Sequence, residues 1–316
     1  MSGRLSKQID NEIQAFPFQE WQKEFKNAKE GGFSSIEWIF DTNPNPITNK
    51  EGIHEMSNLI KKSNIMINSV CCDYFMKKQL FGKNPIEMEQ NYNVLKKIVE
   101  SSKKLGITNI EIPLVDSSSL RNEEDKKQFV EVIKKIIPLL NKNMQIVLET
   151  DLSPKKFREF IESFGDNKIK ANYDTGNSAA LGYDMEEEFK EIGKYFANIH
   201  IKDRKFQGNT VPLGDGDVNF ELFFYKLSKI DYNGELIIQG AREACCPSGE
   251  EVNQKTLEIL NAFSEALRRS LTEEDGGQVQ AAINALGTLL GQNGAGLLDG
   301  LADLARTGGA NITGLS

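Results

Sequence analysis

The stretch MQIVLETDLSPKKFREFIESFGDNKIKANYDTGN, residues 144–177, decides the fold. It starts with a short apolar run at 144–149, continues into a segment whose apolar residues recur every three or four positions, and ends in a second run at 169–174. Strand, helix and strand in this order predict two parallel strands joined by a crossover. Each run ends in an acidic residue, Glu149 and Asp174, so both carboxylates are expected at the same edge of the sheet.

The same alternation repeats along most of the chain. Further strands are predicted at 12–16, 35–40, 65–72, 108–114, 197–202 and 235–240. A helix candidate follows every strand, as at 91–104 and 123–140. An open doubly wound sheet would bring a glycine-rich phosphate turn after its first strand, where this sequence reads FPFQEW. Eight units in about 250 residues therefore predict an α/β fold of the (β/α)8 TIM-barrel type.

The composition changes towards the carboxyl end of the chain. No lysine follows Lys255, and Gly, Ala and Leu become frequent. We therefore expect the barrel over residues 1–268 and a separate tail over 269–316. Segments 278–291 and 295–306 have the apolar spacing of amphipathic helices, which predicts a C-terminal helical extension packed on the barrel or on a partner. A fused or appended segment is the alternative.

Charge and hydropathy exclude several classes of protein. Acidic residues outnumber basic ones by 46 to 38 in a chain of 316 residues, which gives a net charge of -8. A nucleic-acid surface would need a basic stripe, so no nucleic-acid partner is expected. No stretch approaches the roughly 18 apolar residues of a membrane span, and the start of the sequence has no apolar signal region. The prediction is a cytoplasmic protein without a membrane partner.

Four successive predicted strands each carry one metal-binding residue near the carboxyl end: Glu149, Asp174, His200 and Gln239. The alternation of side chains along each strand allows all four to point into one barrel mouth. Singly, each could be a turn residue, a helix cap or a salt-bridge partner. Two carboxylates, an imidazole and an amide oxygen together suit Mn2+, Mg2+ or Co2+, with Zn2+ as an alternative.

Three further residues are candidates for binding an anionic or hydroxyl-rich substrate. Lys202 lies two positions after His200 on the same strand, and Arg242 follows the last predicted strand. Either could hold a phosphate or carboxylate group, or could be salt-bridged to acidic residues at the rim. Ser117 belongs to a DSSS run that offers hydroxyls to a sugar or phosphate, or else caps a helix.

The order of several motifs resembles that of the xylose-isomerase-like TIM-barrel superfamily, which includes sugar and sugar phosphate isomerases and epimerases, dehydratases and endonuclease IV-type enzymes. The motifs are EFKNAKEGGFSSIEW, LETD, YDTGN, IHIKD followed by VPLGDGDVNF, and LIIQGARE. The resemblance covers about residues 10–267. It implies that Glu149, Asp174 and His200 bind a divalent metal, and that Glu149 also serves as a proton-transfer base.

Gln239 departs from the pattern of the ketose 3-epimerases, which carry a second glutamate at this position. A glutamine can bind a metal but cannot transfer a proton. This favours aldose–ketose isomerisation, which needs one base, over simple 3-epimerisation. The side chains of Glu37, Asp73, Glu111 and Lys202 are alternatives for the missing acid, and Glu37 and Asp73 are also candidates for substrate contact.

The sequence therefore predicts a metal-dependent isomerase or epimerase of a small sugar or sugar phosphate, acting through a metal-stabilised enediolate with Glu149 and Lys202 as catalytic residues. A polyol or cyclic-acid dehydratase of the same superfamily is one alternative. A non-catalytic sugar-binding or assembly protein is another, in which the leucine-rich tail drives formation of a homo-oligomer. Endonuclease chemistry is disfavoured, because three metals need many histidines and this chain has two.

Overall fold

The computed structural model describes residues 1–6, 8–9, 12, 14–227, 229–230 and 232–241. The described residues do not include the predicted tail at 269–316, its two helices, the barrel boundary at 268 or Arg242. They stay predictions.

Seven parallel strands form the central sheet, and their spatial order follows their order along the chain. A short antiparallel hairpin, β7–β8, is inserted before the last of them. The strands are β1 Trp38–Ile39, β2 Ser69–Cys71, β3 Asn109–Leu114, β4 Gln145–Thr150, β5 Ile169–Asp174, β6 Phe196–Ile201, β7 Asp203–Arg204, β8 Thr210–Val211 and β9 Glu235–Ile238. The predicted TIM-barrel class is confirmed, and the strand at 169–174 has the predicted bounds.

Helices connect the strands and cover the outside of the sheet. They are α1 Trp21–Glu30, α2 Lys50–Ser63, α3 Tyr74–Lys77, α4 Pro85–Leu105, α5 Glu123–Ile136, α6 Pro154–Ser163, α7 Thr175–Leu181, α8 Met185–Ile192 and α9 Phe220–Leu227. The helix predicted to end at residue 140 ends at Ile136 and continues as a single 3-10 turn, Ile137–Leu139. Pro138 causes the change, because its ring clashes with a preceding carbonyl in a continuing α-helix.

The segment 1–6 lies between β9 and β1 and closes the barrel. Ser2 donates its backbone N–H to the carbonyl of Glu37 at 2.8 Å, and its Oγ accepts from the backbone N–H of Ile39 at 2.9 Å. On the other side, Arg4 Nη1 donates to the carbonyl of Gly240 at 2.7 Å. These contacts fill the place of an eighth strand.

The predicted first strand at 12–16 is therefore wrong. None of the described residues in this stretch is in a strand. Its apolar residue Phe16 packs against Trp38, with the ring centroids 5.0 Å apart, and its backbone N–H bonds to Asp41 Oδ2. The short alternation in this stretch reflects a loop with one buried aromatic side chain, and Pro17 directly after it favours that conformation.

Many of the side chains inside the barrel are polar. Strands β3 and β6 are buried at every position, because helices cover one face and the barrel encloses the other. The polar side chains buried inside include Glu37, Ser69, Glu111, Asn172, Asn198 and His200, together with the candidate ligands Glu149, Asp174 and Gln239. Buried polar groups lose their hydrogen bonds to water and need partners inside the protein. These side chains therefore indicate where a functional site could lie. No helix among the described residues is long and apolar enough to cross a membrane.

Candidate metal and active site

A cavity of about 240 Å³ opens at the carboxyl ends of the strands, and all four predicted metal ligands line it. His200 is at its centre. Its Nδ1 lies 3.5 Å from Glu149 Oε2, 3.7 Å from Asp174 Oδ2 and 2.9 Å from Gln239 Nε2. The strand register produces this arrangement, because Asp174 pairs with His200, and His200 pairs with Ile237, two positions before Gln239.

The other edge of the His200 ring faces two buried carboxylates that come from the opposite side of the barrel. Nε2 is 2.9 Å from Glu37 Oε2 and 3.1 Å from Glu111 Oε2. Although burial opposes the charged form of the ring, the charges of Glu111 and Glu37 hold the pKa of His200 well above its ordinary value. The two ring edges therefore have different partners, with Glu149 and Asp174 on the Nδ1 side only.

Glu37 and Glu111 both contact the imidazole of His200, but their pKa values are shifted in opposite directions. Burial raises the pKa of Glu111 well above its usual range, and the neighbouring charge of Glu37 adds to this effect. Burial is the largest effect on Glu37 and disfavours its charged form, but the charge and hydrogen bond of His200 and the hydrogen bond from Ser69 contribute to lowering effects that together leave the pKa of Glu37 below its ordinary value. Glu37 is therefore the ionised partner of the pair.

Asp174 combines two roles at the end of β5. Its Oδ1 accepts the backbone N–H of Asn177 at 2.8 Å and so caps α7. Its Oδ2 lies 2.5 Å from Lys202 Nζ. Burial opposes ionisation of Asp174, but the ammonium of Lys202 and the ring of His200 hold the pKa of Asp174 below its ordinary value. Asp174 is thus an anion, and Lys202 is held at the cavity wall by an ion pair.

Three asparagines surround these groups, and sequence reasoning did not single them out as site residues. Asn172 donates to Glu149 Oε2 at 2.7 Å, Asn198 donates to Glu37 Oε1 at 2.8 Å, and Asn177 donates to Glu149 Oε1 at 2.5 Å. Asn172 and Asn198 each lie two positions before a predicted ligand on the same strand face, which is the signal that would have found them.

The remaining predicted substrate-binding residues lie at different depths. Asp73 lines the cavity, where its carboxylate accepts from Cys71 Sγ at 3.1 Å and from Gln14 Nε2 at 2.6 Å. Ser117 does not line the cavity, since its hydroxyl donates to the carbonyl of Met76 at 3.0 Å. Arg204, which the sequence did not single out, lines it.

The buried carboxyl group of Glu188 contacts Tyr173, the residue before Asp174, and does not line the cavity. Glu188 on α8 accepts from the hydroxyls of Tyr173 at 2.8 Å and Ser178 at 2.5 Å. Burial raises the pKa of Glu188 to about 7, although both hydrogen bonds oppose the shift. Because Tyr173 directly precedes Asp174, this network supports the end of β5 from the outside.

The donor set fits a divalent cation. One oxygen each from Glu149 and Asp174 and a ring nitrogen of His200 lie within 4.8 Å of one another, and all three side chains are buried. In addition, Asn172 Oδ1 is buried without a hydrogen-bond partner. Mixed carboxylate oxygen and imidazole nitrogen ligands suit Mn2+, Mg2+, Co2+ and Zn2+. Excess negative charge in a buried site also favours a bound cation.

Comparison with known proteins agrees with this architecture. Residues 25–263 match the family described as the xylose isomerase-like TIM barrel. The chain belongs to this family. One relative within curated proteins is the L-ribulose-5-phosphate 3-epimerase UlaE of Escherichia coli, which is 24% identical over 253 residues, covering 74% of this chain and 88% of UlaE.

Two solved structures of xylose isomerase-like barrels show the same fold. D-psicose 3-epimerase from Clostridium cellulolyticum, solved with D-tagatose, superposes with a TM-score of 0.62 at 15% identity and covers 89% of this chain and 96% of its own. The IolI protein, solved with a binding zinc atom, has a TM-score of 0.59 at 16% identity and covers 76% of this chain and 92% of its own. At these identities the likeness concerns the fold.

Proposed function

We propose that this protein is a divalent-metal-dependent isomerase or epimerase of a small sugar or sugar phosphate. The observation that carries the proposal is the convergence of Glu149, Asp174 and the Nδ1 edge of His200 in one cavity at the carboxyl ends of the strands. The epimerases of sugars and sugar phosphates among its relatives support the substrate class. The zinc bound by a structural neighbour supports the dependence on a divalent cation.

Glu149, Asp174, His200 and Gln239 would hold the cation. Gln239 would present its side-chain oxygen after rotation of its amide, whose nitrogen now faces His200 Nδ1. A bound divalent cation supplies positive charge at the substrate carbonyl, which lowers the pKa of the adjacent carbon-bound proton. Glu37 would keep the ring of His200 in place by accepting from Nε2.

Glu149 is the proposed base. The C–H bond next to the carbonyl breaks, its proton moves to the carboxylate of Glu149, and its electron pair enters an enediolate of the substrate. Lys202 would donate a hydrogen bond to a substrate oxygen while charge develops there. Return of the proton to the former carbonyl carbon, with movement of a proton from the neighbouring hydroxyl to the former carbonyl oxygen, completes an isomerisation. Delivery of a proton by a second group to the opposite face of the original carbon completes an epimerisation.

The identity of the second proton-transfer group decides between these two outcomes. Gln239 cannot transfer a proton, whereas two of the proteins compared above, UlaE and D-psicose 3-epimerase, are 3-epimerases. Asp73 and Lys202 line the same cavity as Glu149, so either could protonate the intermediate. The proposal therefore covers both reactions.

The test is a deuterium-exchange and product assay with L-ribulose 5-phosphate, D-psicose and D-fructose as probes. EDTA should abolish turnover, and Mn2+ should restore it. Glu149→Gln should lower kcat by at least about 10³-fold, because it removes the base. Glu235→Gln, which changes a buried glutamate bonded to Asn68, is the matched control and should remain active.

Each contrary outcome has a distinct meaning. Full activity of Glu149→Gln, or turnover that persists after EDTA, contradicts the proposed mechanism. A product lighter by one water indicates a dehydratase. Saturable binding without deuterium incorporation indicates a sugar-binding protein.

A further inference from the structure

Asn177, in the first turn of α7, contacts both of the proposed carboxylate ligands. Its backbone N–H donates to Asp174 Oδ1 at 2.8 Å, and its side-chain Nδ2 donates to Glu149 Oε1 at 2.5 Å. Asn177 therefore holds one oxygen of each carboxylate, while Asn172 Nδ2 and Lys202 Nζ contact the other oxygens, Glu149 Oε2 and Asp174 Oδ2. The second oxygens, Glu149 Oε2 and Asp174 Oδ2, are those that face His200 Nδ1.

Arg204 determines which way the Asn177 amide points. Arg204 Nη1 donates to Asn177 Oδ1 at 2.8 Å. A guanidinium group can only donate, so the amide oxygen must face Arg204 and the amide nitrogen must face Glu149. Without Arg204, the amide could turn its oxygen towards the Glu149 carboxylate, and the two acceptors would repel each other.

Arg204 in turn is part of the β7–β8 hairpin that borders the cavity. Its Nε and Nη2 both donate to the carbonyl of Gly208 in the hairpin turn, at 3.1 and 2.8 Å. The hairpin also packs closely on α7. A Cβ at Gly176 would lie 2.9 Å from Lys202 Cγ and 3.1 Å from Arg204 Cγ. Gln207 donates its backbone N–H to the carbonyl of Ala180 at 2.9 Å.

We propose that Asn177 is a positioning residue for the metal-binding carboxylates, and that Arg204 transmits the conformation of the β7–β8 hairpin to them through Asn177. The inference rests on the proposed metal dependence. It adds that affinity for the cation depends on two residues that do not bind it. Groups that orient metal ligands typically change metal affinity by about 10- to 100-fold when they are removed.

A double-mutant cycle on metal affinity tests this relay. Mn2+ and Zn2+ dissociation constants are measured by titration calorimetry for the wild-type chain, Asn177→Ala, Arg204→Met and the double variant. Asn177→Ala should weaken binding about 10- to 100-fold. Arg204→Met should weaken it by about 3- to 10-fold, and the double variant should bind no more weakly than Asn177→Ala, because Arg204 acts through Asn177.

The control variant is Lys205→Met, which removes a cation from the same hairpin. Lys205 Nζ lies 3.5 Å from Asp217 Oδ1 and has no contact with Asn177 among the described residues. Its metal affinity should equal that of the wild-type chain. Circular dichroism establishes that each variant is folded, and Asn177→Ser replaces Asn177→Ala if the alanine variant does not fold.

Three results would overturn the inference. Unchanged metal affinity in a folded Asn177 variant excludes the positioning role. Effects of Asn177→Ala and Arg204→Met that simply add exclude the relay, because they show independent actions. If the wild-type chain binds neither metal, the proposed function fails together with the inference. Normal wild-type binding with unaffected variants removes the inference alone.

Discussion

His200 and Glu37 face each other inside the barrel, with Nε2 of the imidazole 2.9 Å from Oε2 of the carboxylate. Both side chains are almost completely buried, at 1% and 0% exposure, so water does not compete for this contact. A histidine that binds a metal through one nitrogen usually donates its other N–H to a carboxylate or carbonyl, which fixes the tautomer and the ring plane. The Glu37 contact therefore leaves Nδ1, which faces the side-chain amides of Gln239 and Asn172, as the nitrogen that could bind a cation.

We expect Glu37→Gln to weaken metal binding about 10- to 100-fold without removing a ligand. The amide keeps the size of the side chain but loses the negative charge that raises the pKa of His200 and orients its ring. Calorimetric titration with Mn2+ measures the change. Glu235→Gln is again the control, since Glu235 is buried on β9 and bonds to Asn68. An affinity equal to that of wild type would contradict the orienting role.

Gln239→Glu should increase the rate of C3 epimerisation relative to isomerisation. The substitution places a carboxylate beside Nδ1 of His200, where it could act as an acid or a base. The added negative charge should also strengthen binding of the cation. Chromatographic separation of epimer and isomer products gives the ratio for both proteins. An unchanged ratio would indicate that another residue already supplies the second proton.

Lowering the pH from about 7 to about 4.5 should stabilise this protein, because Glu188 becomes protonated in the folded chain. Its pKa is about 7 in the folded chain against 4.5 in the reference state, so folding binds a proton between these values. The free energy of unfolding should therefore fall as pH rises from about 4.5 to about 7, by at most about 3 kcal/mol.

Urea unfolding over this pH range measures the slope for wild type and Glu188→Gln. The glutamine variant should have a flatter profile, because it cannot ionise. The adjacent Glu187→Gln is the control, since Glu187 is exposed and should leave the slope intact. Equal slopes in all three proteins would exclude Glu188 as the source.

Gly216→Ala should disrupt the loop that follows the β7–β8 hairpin. Asp203 accepts backbone N–H groups from Gly214 and Gly216 at 2.9 Å each and from Val218 at 3.2 Å. A Cβ at Gly216 would lie 1.8 Å from Asp203 Oδ1, so the carboxylate must leave its position.

Loss of these hydrogen bonds should cost about 1 to 3 kcal/mol of stability. Denaturant unfolding measures the change. Gly240→Ala is the control, because a Cβ there would meet no atom of the described residues within 4 Å, and its effect should stay within about 0.5 kcal/mol. Comparable losses in both variants would show that the Asp203 contacts are not responsible.

The strands and the four candidate ligands could be read from the sequence because both depend on local rules. Strand alternation placed Asp174 and His200 on inward faces, and parallel strands brought their ends to one edge. The position of Glu37 under the His200 ring could not be read, since it depends on curvature that brings β1 across the barrel from β6. The contact between Asn177 and Arg204 depends likewise on how the hairpin packs on α7.

The closure of the barrel by residues 1–6 has a consequence for how the molecule opens. Between β9 and β1 the backbone ladder is replaced by a few contacts, in which the hydroxyl of Ser2 protects the amide of Ile39 and the guanidinium of Arg4 reaches Gly240. We expect this join to be weaker than the continuous backbone ladder between β3 and β4. In hydrogen exchange, the backbone amide of Ile39 should therefore exchange sooner than the amides at the centre of β3 and β4. Partial unfolding should begin with separation of β1 from β9.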